Sequence, residues 1–241
     1  MTTNAIRASQ HNSAKIAGFA YLFMLLGHIH YYVFVATKLA IPGDALLRAN
    51  AVMANEWLFR IGLGYELLMS INLLFLAQAH CVILKSIDRN LASLAFFSVL
   101  TKAILAAVMV LITFTAIQFL SGQSFLTAVN IKQLHDIIGL YLLVRMAGHT
   151  ISAVFLYLGM ATFLYLLLKS RYIPSPLAML GIGSYSIMLG YVLINVIAPG
   201  TPMSTLTMEN TFDILCIVPS LLFEAIAGIW LLSKGLEVHY G

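Results

Sequence analysis

The chain has 241 residues, of which 61% are hydrophobic and only 9% are charged, and its formal net charge is +4. A water-facing domain carries roughly 25% charged residues, so this composition excludes an ordinary soluble domain and leaves most of the surface to lipid. The 13 Lys and Arg stand singly or in pairs between apolar runs, which excludes the continuous basic face of a nucleic-acid binder.

Inside hydrocarbon every backbone N–H and C=O must pair within the chain, so a spanning protein is built of helices or of a closed barrel. The apolar runs here are about 20 residues or longer and lack the short alternating segments of a barrel. The sequence therefore predicts an all-α, polytopic helical membrane bundle, a single integral membrane domain over residues 1–241.

The first run, Ile16–Thr37, is longer than the roughly 7–15 residues of a signal-peptide core and has no Ala-x-Ala site after it, so it reads as a first span. Ile41-Pro42-Gly43-Asp44 closes it, and the mildly amphipathic residues 44–56 are expected at the membrane surface. Leu58–Leu84, Leu91–Leu120 and Ile137–Leu168 follow. The last two exceed the ~20 residues a span needs, so they tilt or run on along the interface. Taking residues 131–147 as a separate half-helix would raise the count from six to seven. Pro174 and Pro176 open Leu177–Ala198, Pro199-Gly200-Thr201-Pro202 ends it, and Ile214–Leu232 is the sixth transmembrane helix.

Basic residues orient the bundle. Loops on one side hold Arg7, Lys15, Lys85, Arg89, Lys169, Arg171 and Lys234, against Lys38, Arg48, Arg60 and Lys132 on the other. The excess predicts that both termini are cytoplasmic. Cys81 and Cys216 then fall near opposite faces of the bilayer, beyond the ~7 Å reach of a disulfide.

Ionisable side chains within a span cost at least ~2.5–3.5 kcal/mol at mid-bilayer, so each needs a partner or a wet cavity. Glu66 falls roughly 12 Å, and Glu224 roughly 15 Å, below the outer boundary. His28, His30, Arg60, Arg145, His149 and Asp213 also fall in the outer half, Lys102 near the middle, and the cytoplasmic half has little beyond His80. Gly62-Glu66-Ser70, Ser98-Lys102-Ala106 and Ser220-Glu224-Gly228 are i, i+4 stripes of small or polar residues, which are expected to face the bundle interior. Arg145 and His149 share a face by the same spacing.

Other chemistries have weaker signatures. His28 and His30 point to opposite helix faces, and the chain has neither HExxH nor paired CxxC, so no metal site is expected. No GxSxG elbow prepares a nucleophile. A single haem on His149 with His28 or His30 is the one haem arrangement the histidine spacing leaves open. No cofactor is otherwise indicated, and nothing in the sequence reports on oligomeric state.

Ala17-Gly18 with Tyr21-Leu22, Pro42-Gly43-Asp44-Ala45 with Asn50, and Phe59-Arg60 with Glu66-Leu67 resemble the front half of the bacterial membrane family known as domain of unknown function 4386. His149 ahead of a long apolar run, Lys169-Ser170 before Pro174, then Pro219, Glu224, Trp230-Leu231-Leu232 and Lys234-Gly235 resemble its back half. A second histidine of the fourth helix is Met160 here. The resemblance implies a bacterial cytoplasmic (inner) membrane protein and places Arg60, Glu66, His149 and Glu224 in the family pattern. It implies no activity.

The leading expectation is an outward-facing intramembrane polar pocket for a hydrophobic or lipid-like small molecule, with the lipid bilayer as the other partner. In an enzyme of this kind Glu66 and Glu224 are the acid–base pair and His149 a further proton carrier, with Arg60, Lys102, Arg145, His28 and His30 binding. Isomerisation or cyclisation suits these groups better than hydrolysis. The rival readings are a non-catalytic binding, sensing or assembly protein, or a small transporter.

Overall fold

A computed structural model describes residues 3–30, 56–121, 131–198 and 211–236. Among them six α-helices follow in order: α1 Thr3–His30, α2 Glu56–Leu84, α3 Arg89–Ser121, α4 Ile131–Ser170, α5 Ser175–Ile197 and α6 Thr211–Ser233. Among the described residues four segments are long and apolar enough to cross a membrane: Glu56–Leu84, Arg89–Gln118, Ala147–Ser170 and Ser175–Ile197, with a shorter apolar stretch at Ile217–Ser233. The molecule is a helical membrane bundle.

Each helix packs on its neighbour in sequence, and α6 packs back on α1, so the six form a closed ring in chain order. Across the ring α2 also touches α4. Small residues permit the tightest crossings, because without a side chain the backbones approach directly. A Cβ on Gly18 would lie 2.9 Å from the carbonyl oxygen of Gly228, and one on Gly228 would lie 2.7 Å from the Leu22 side chain. A Cβ on Gly159 would meet the Ala95 carbonyl at 2.9 Å, which draws α3 and α4 together.

Aromatic rings fill the interior and join helices that are distant in sequence. Phe223 on α6 meets Tyr21 on α1 edge-on at 5.4 Å and Tyr185 on α5 at 6.1 Å. His80 on α2 stacks on Phe163 of α4 at 5.0 Å. The outside is the reverse of a soluble protein: Phe19, Leu26, Phe97, Leu111, Ile197 and Ile229 are all exposed, as a lipid-facing surface requires.

Two short turns define one end, here the turn end. Asp88 caps α3, its carboxylate oxygen accepting the backbone N–H of Asn90 at 3.1 Å and of Leu91 at 3.0 Å. Arg171 leaves α4 in a left-handed conformation, with φ 55°, and Pro174 precedes α5. The connections at the opposite, distal end are residues 31–55, 122–130 and 199–210, which lie outside the described residues.

Two boundaries differ from the sequence expectation. α1 begins at Thr3 rather than Ile16, because its polar first turns dock on the turn end: Ser13 and Ala14 are buried, and Gln10 donates to the Ile83 carbonyl at 3.1 Å. α4 runs unbroken over 40 residues from Ile131 to Ser170, so residues 131–147 are not a separate half-helix. No proline interrupts this stretch, and its apolar span begins only at Ala147. Residues 31–37 of the expected first span, and the surface segment 44–55, fall outside the described residues.

Candidate functional site

The distal half of the ring holds three polar groups, each joining helices that the sequence separates. The first is centred on Glu66. Arg145 of α4 pairs with the Glu66 carboxylate of α2 through Nη2 and donates from Nη1 to Thr113 Oγ1 of α3 at 2.7 Å. The Thr113 hydroxyl also accepts from Tyr141 at 3.0 Å and donates to the Met109 carbonyl at 2.7 Å. The guanidinium fork thus ties three helices at one level, which a point-charge lysine could not do.

The second group is centred on Glu224 of α6. One carboxylate oxygen accepts from the Tyr185 hydroxyl of α5 at 3.0 Å, and the other bonds His28 Nδ1 of α1 at 3.1 Å. Glu224 is 1% exposed while His28 is 39% exposed, so the acid is buried behind its imidazole partner.

The third lies between α3 and α4. Lys102 Nζ donates to Ser152 Oγ at 3.0 Å, and Ser152 in turn donates to the His149 carbonyl at 3.0 Å. Among the described residues no carboxylate reaches ion-pair distance of Lys102. The ammonium lies in electrostatic range of Glu66, His149 and His28. His149 Nε2 is buried and has no hydrogen-bond partner among the described residues.

The structure thus brings Glu66, Arg145, Lys102, His149, His28 and Glu224 into one neighbourhood. It separates others. Arg60 bonds Glu56 one turn away on its own helix, at 2.8 Å from Nε and 2.7 Å from Nη2, and does not join Glu66. Each carboxylate has its own partners, Arg145 for Glu66 and Tyr185 with His28 for Glu224. The side chains of His30, His135, Asp213 and Cys216 lie outside the described residues. Cys81 is a free thiol, and Met160 is buried in the core.

Four partners were not expected at the site from the sequence: Tyr185, Thr113, Ser152 and Tyr21, the last named only for the family resemblance. Tyr21 donates to His80 Nε2 at 3.1 Å, while His80 Nδ1 bonds the Leu76 carbonyl at 2.9 Å, a fully buried pair in the turn half. With Nδ1–H given to the carbonyl, Nε2 is the acceptor. Spacing carried a signal, since Tyr21 stands two turns before His28 on one face of α1. Aromatics in membrane spans serve mostly as packing or interface anchors, and that prior hid it.

A closed ring of apolar helices around an aromatic core, with ion-paired and hydrogen-bonded side chains in one half, is the architecture of an integral membrane protein. The chain belongs to the family described as Domain of unknown function (DUF4386), whose model matches residues 16–235. No curated protein and no solved structure matches it.

Proposed function

We propose that this protein holds a hydrophobic or lipid-like molecule in the distal half of the ring, with that end facing outward from a bacterial cytoplasmic membrane. One observation carries the reading: Lys102 is joined through Ser152 to the His149 carbonyl, and the Lys102 ammonium and His149 Nε2 both have bonding capacity to spare. An ammonium has three N–H donors, and Lys102 directs one to Ser152. Buried polar atoms almost always have a partner, and His149 Nε2 has none among the described residues. A bound molecule with an oxygen-bearing head and an apolar body supplies both deficits.

Acid–base chemistry on that molecule, an isomerisation or a cyclisation, is the catalytic form of the same reading. Glu66 and Glu224 have different partners, Arg145 for one and Tyr185 with His28 for the other, which supports proton removal at one and delivery at the other. His149, between the two charged groups, is the remaining proton carrier. Arg60, paired on its own helix, is left out of this site.

Lipid extraction of the purified full-length protein, followed by mass spectrometry, tests the binding. Wild type should retain one amphiphile in near-stoichiometric amount, and Lys102→Met and His149→Ala should lose it. Equal retention by all three proteins, or none by wild type, would dismiss the pocket. Glu66→Gln and Glu224→Gln should keep the molecule bound but stop its conversion. Continued conversion by both would remove the acid–base mechanism and leave a binding protein.

A further inference from the structure

A second feature lies outside the ring interior. Between α2 and α3 an open groove of about 440 Å³ is lined by Arg60, Leu63, Gly64 and Leu67 on one side and by Ala107, Val110, Leu111 and Phe114 on the other. It opens to the surface of the bundle, where Leu67, Leu111 and Phe114 are exposed. Gly64 makes the hollow, since a Cβ there would meet nothing within 4 Å. Every lining residue but Arg60 is apolar or glycine.

The length of α2 puts its distal start at headgroup level when its other end reaches the opposite face. Its 29 residues extend about 43 Å, the thickness of a bilayer with its headgroups. Trp57, beside Glu56, is 67% exposed, as an interfacial anchor is. Charges and groove then follow in a fixed order along the helix. Glu56 is outermost, Arg60 lies about 6 Å deeper, and the hollow reaches about 10 Å further to Leu67. The Glu56–Arg60 bonds use Oε1, Nε and Nη2. Oε2 of Glu56 and Nη1 of Arg60 are without partners among the described residues.

We propose that this groove is a binding site for a phospholipid with a zwitterionic, primary-amine headgroup. Such a lipid presents an ammonium outermost, a phosphate two carbons deeper, and then an acyl chain, which is the order of Glu56, Arg60 and the hollow. The phosphate accepts from Arg60 Nη1, the ammonium donates to Glu56 Oε2, and one acyl chain lies along Gly64. A purely anionic headgroup would leave Glu56 facing negative charge. A quaternary ammonium has no N–H to give. The proposal is independent of the interior site, because Arg60 does not take part there.

Native mass spectrometry of the purified full-length protein, titrated separately with phosphatidylethanolamine, phosphatidylglycerol and phosphatidylcholine, tests it. Phosphatidylethanolamine should be retained preferentially. Glu56→Gln should weaken it by about tenfold, the size of one charge-assisted hydrogen bond, to the level of phosphatidylcholine. Gly64→Leu should remove the preferred adduct by filling the hollow. Gly183→Leu, on α5, is the matched control, since a Cβ there also meets nothing within 4 Å. Equal binding of the three lipids, a preference for phosphatidylglycerol, or unchanged phosphatidylethanolamine binding in Gly64→Leu would overturn the proposal.

Discussion

His28 and Glu224, 196 residues apart, bond at 3.1 Å and join the first helix to the last. Their bond lies on the seam that the Gly18–Gly228 contact brings together, so the crossing that closes the ring also seats a buried acid against an imidazole. Tyr185 completes the site from α5. A carboxylate with a donor on each oxygen is held in one orientation, and this is the condition for a positioned acid or base.

The bond network around Glu224 predicts non-additive stabilities. Glu224→Ala leaves the buried Tyr185 hydroxyl without its acceptor and should cost about 1–3 kcal/mol. Tyr185→Phe in that background should cost little more, whereas the two single losses would otherwise sum. Melting of the four proteins in one detergent gives the coupling, and strict additivity would show that the two side chains do not interact.

Glu66 and Arg145 should behave as a charge pair between helices. Glu66→Gln leaves the guanidinium without its counter-charge and should destabilise by about 1–3 kcal/mol, less than a fully buried pair because both side chains keep some exposure. Adding Arg145→Met should restore part of the loss. A double variant less stable than Glu66→Gln alone would contradict the pairing.

Ring closure makes a prediction without charge. Gly228→Leu must displace Leu22 and the α1 backbone, so it should lower the melting temperature sharply and reduce the yield of folded protein. Gly183→Leu enters open space and should be near neutral. Similar melting of the two would mean that α1 and α6 do not cross at this point.

In the turn half, Tyr21→Phe takes the donor from the fully buried His80 Nε2. A loss of about 1–3 kcal/mol is expected, with His80→Phe in the same background recovering some of it. If Tyr21→Phe melts like wild type, the pair contributes nothing to stability.

Orientation is tested by labelling. With Cys81 and Cys216 replaced by Ala, single cysteines at Ser86, Arg171 and Thr205 should react with an impermeant thiol reagent in intact cells only at Thr205. Reaction at Ser86 and Arg171, with Thr205 silent, would invert the bundle.

Much of this was legible in residue order. The apolar runs marked α2, α3 and α5 to within two residues at each end, because hydrocarbon thickness dictates a run length. Depth counting put Glu66, Glu224, Arg145 and His149 in one half of the bundle. The Ser220-Glu224-Gly228 stripe is buried at a helix crossing and Ser70 and Ser98 are buried, whereas a Cβ on Gly62 would meet nothing within 4 Å and Lys102 is only partly buried. Arg60 pairs with Glu56 on its own helix, a partner that depth and charge alone could not separate from one across the ring. The docked start of α1 was missed because polarity marks the membrane boundary, while a helix continues past it wherever its backbone stays paired.

Hydropathy, length and charge along the chain are enough to make this a helical membrane bundle with a polar distal half, since those quantities are local and the bilayer reads them locally. They are silent on who meets whom. Periodicity assigns a residue to a face of its own helix, but six helices can be ordered around an interior in many ways that bury the same faces. Packing chose among them: the Gly18–Gly228 crossing set α6 beside α1, and so gave Glu224 to His28 and Tyr185 while Arg145 was left to Glu66. Those pairings depend on side-chain volumes at contacts between distant segments, a property of the assembled ring and of no single stretch of sequence.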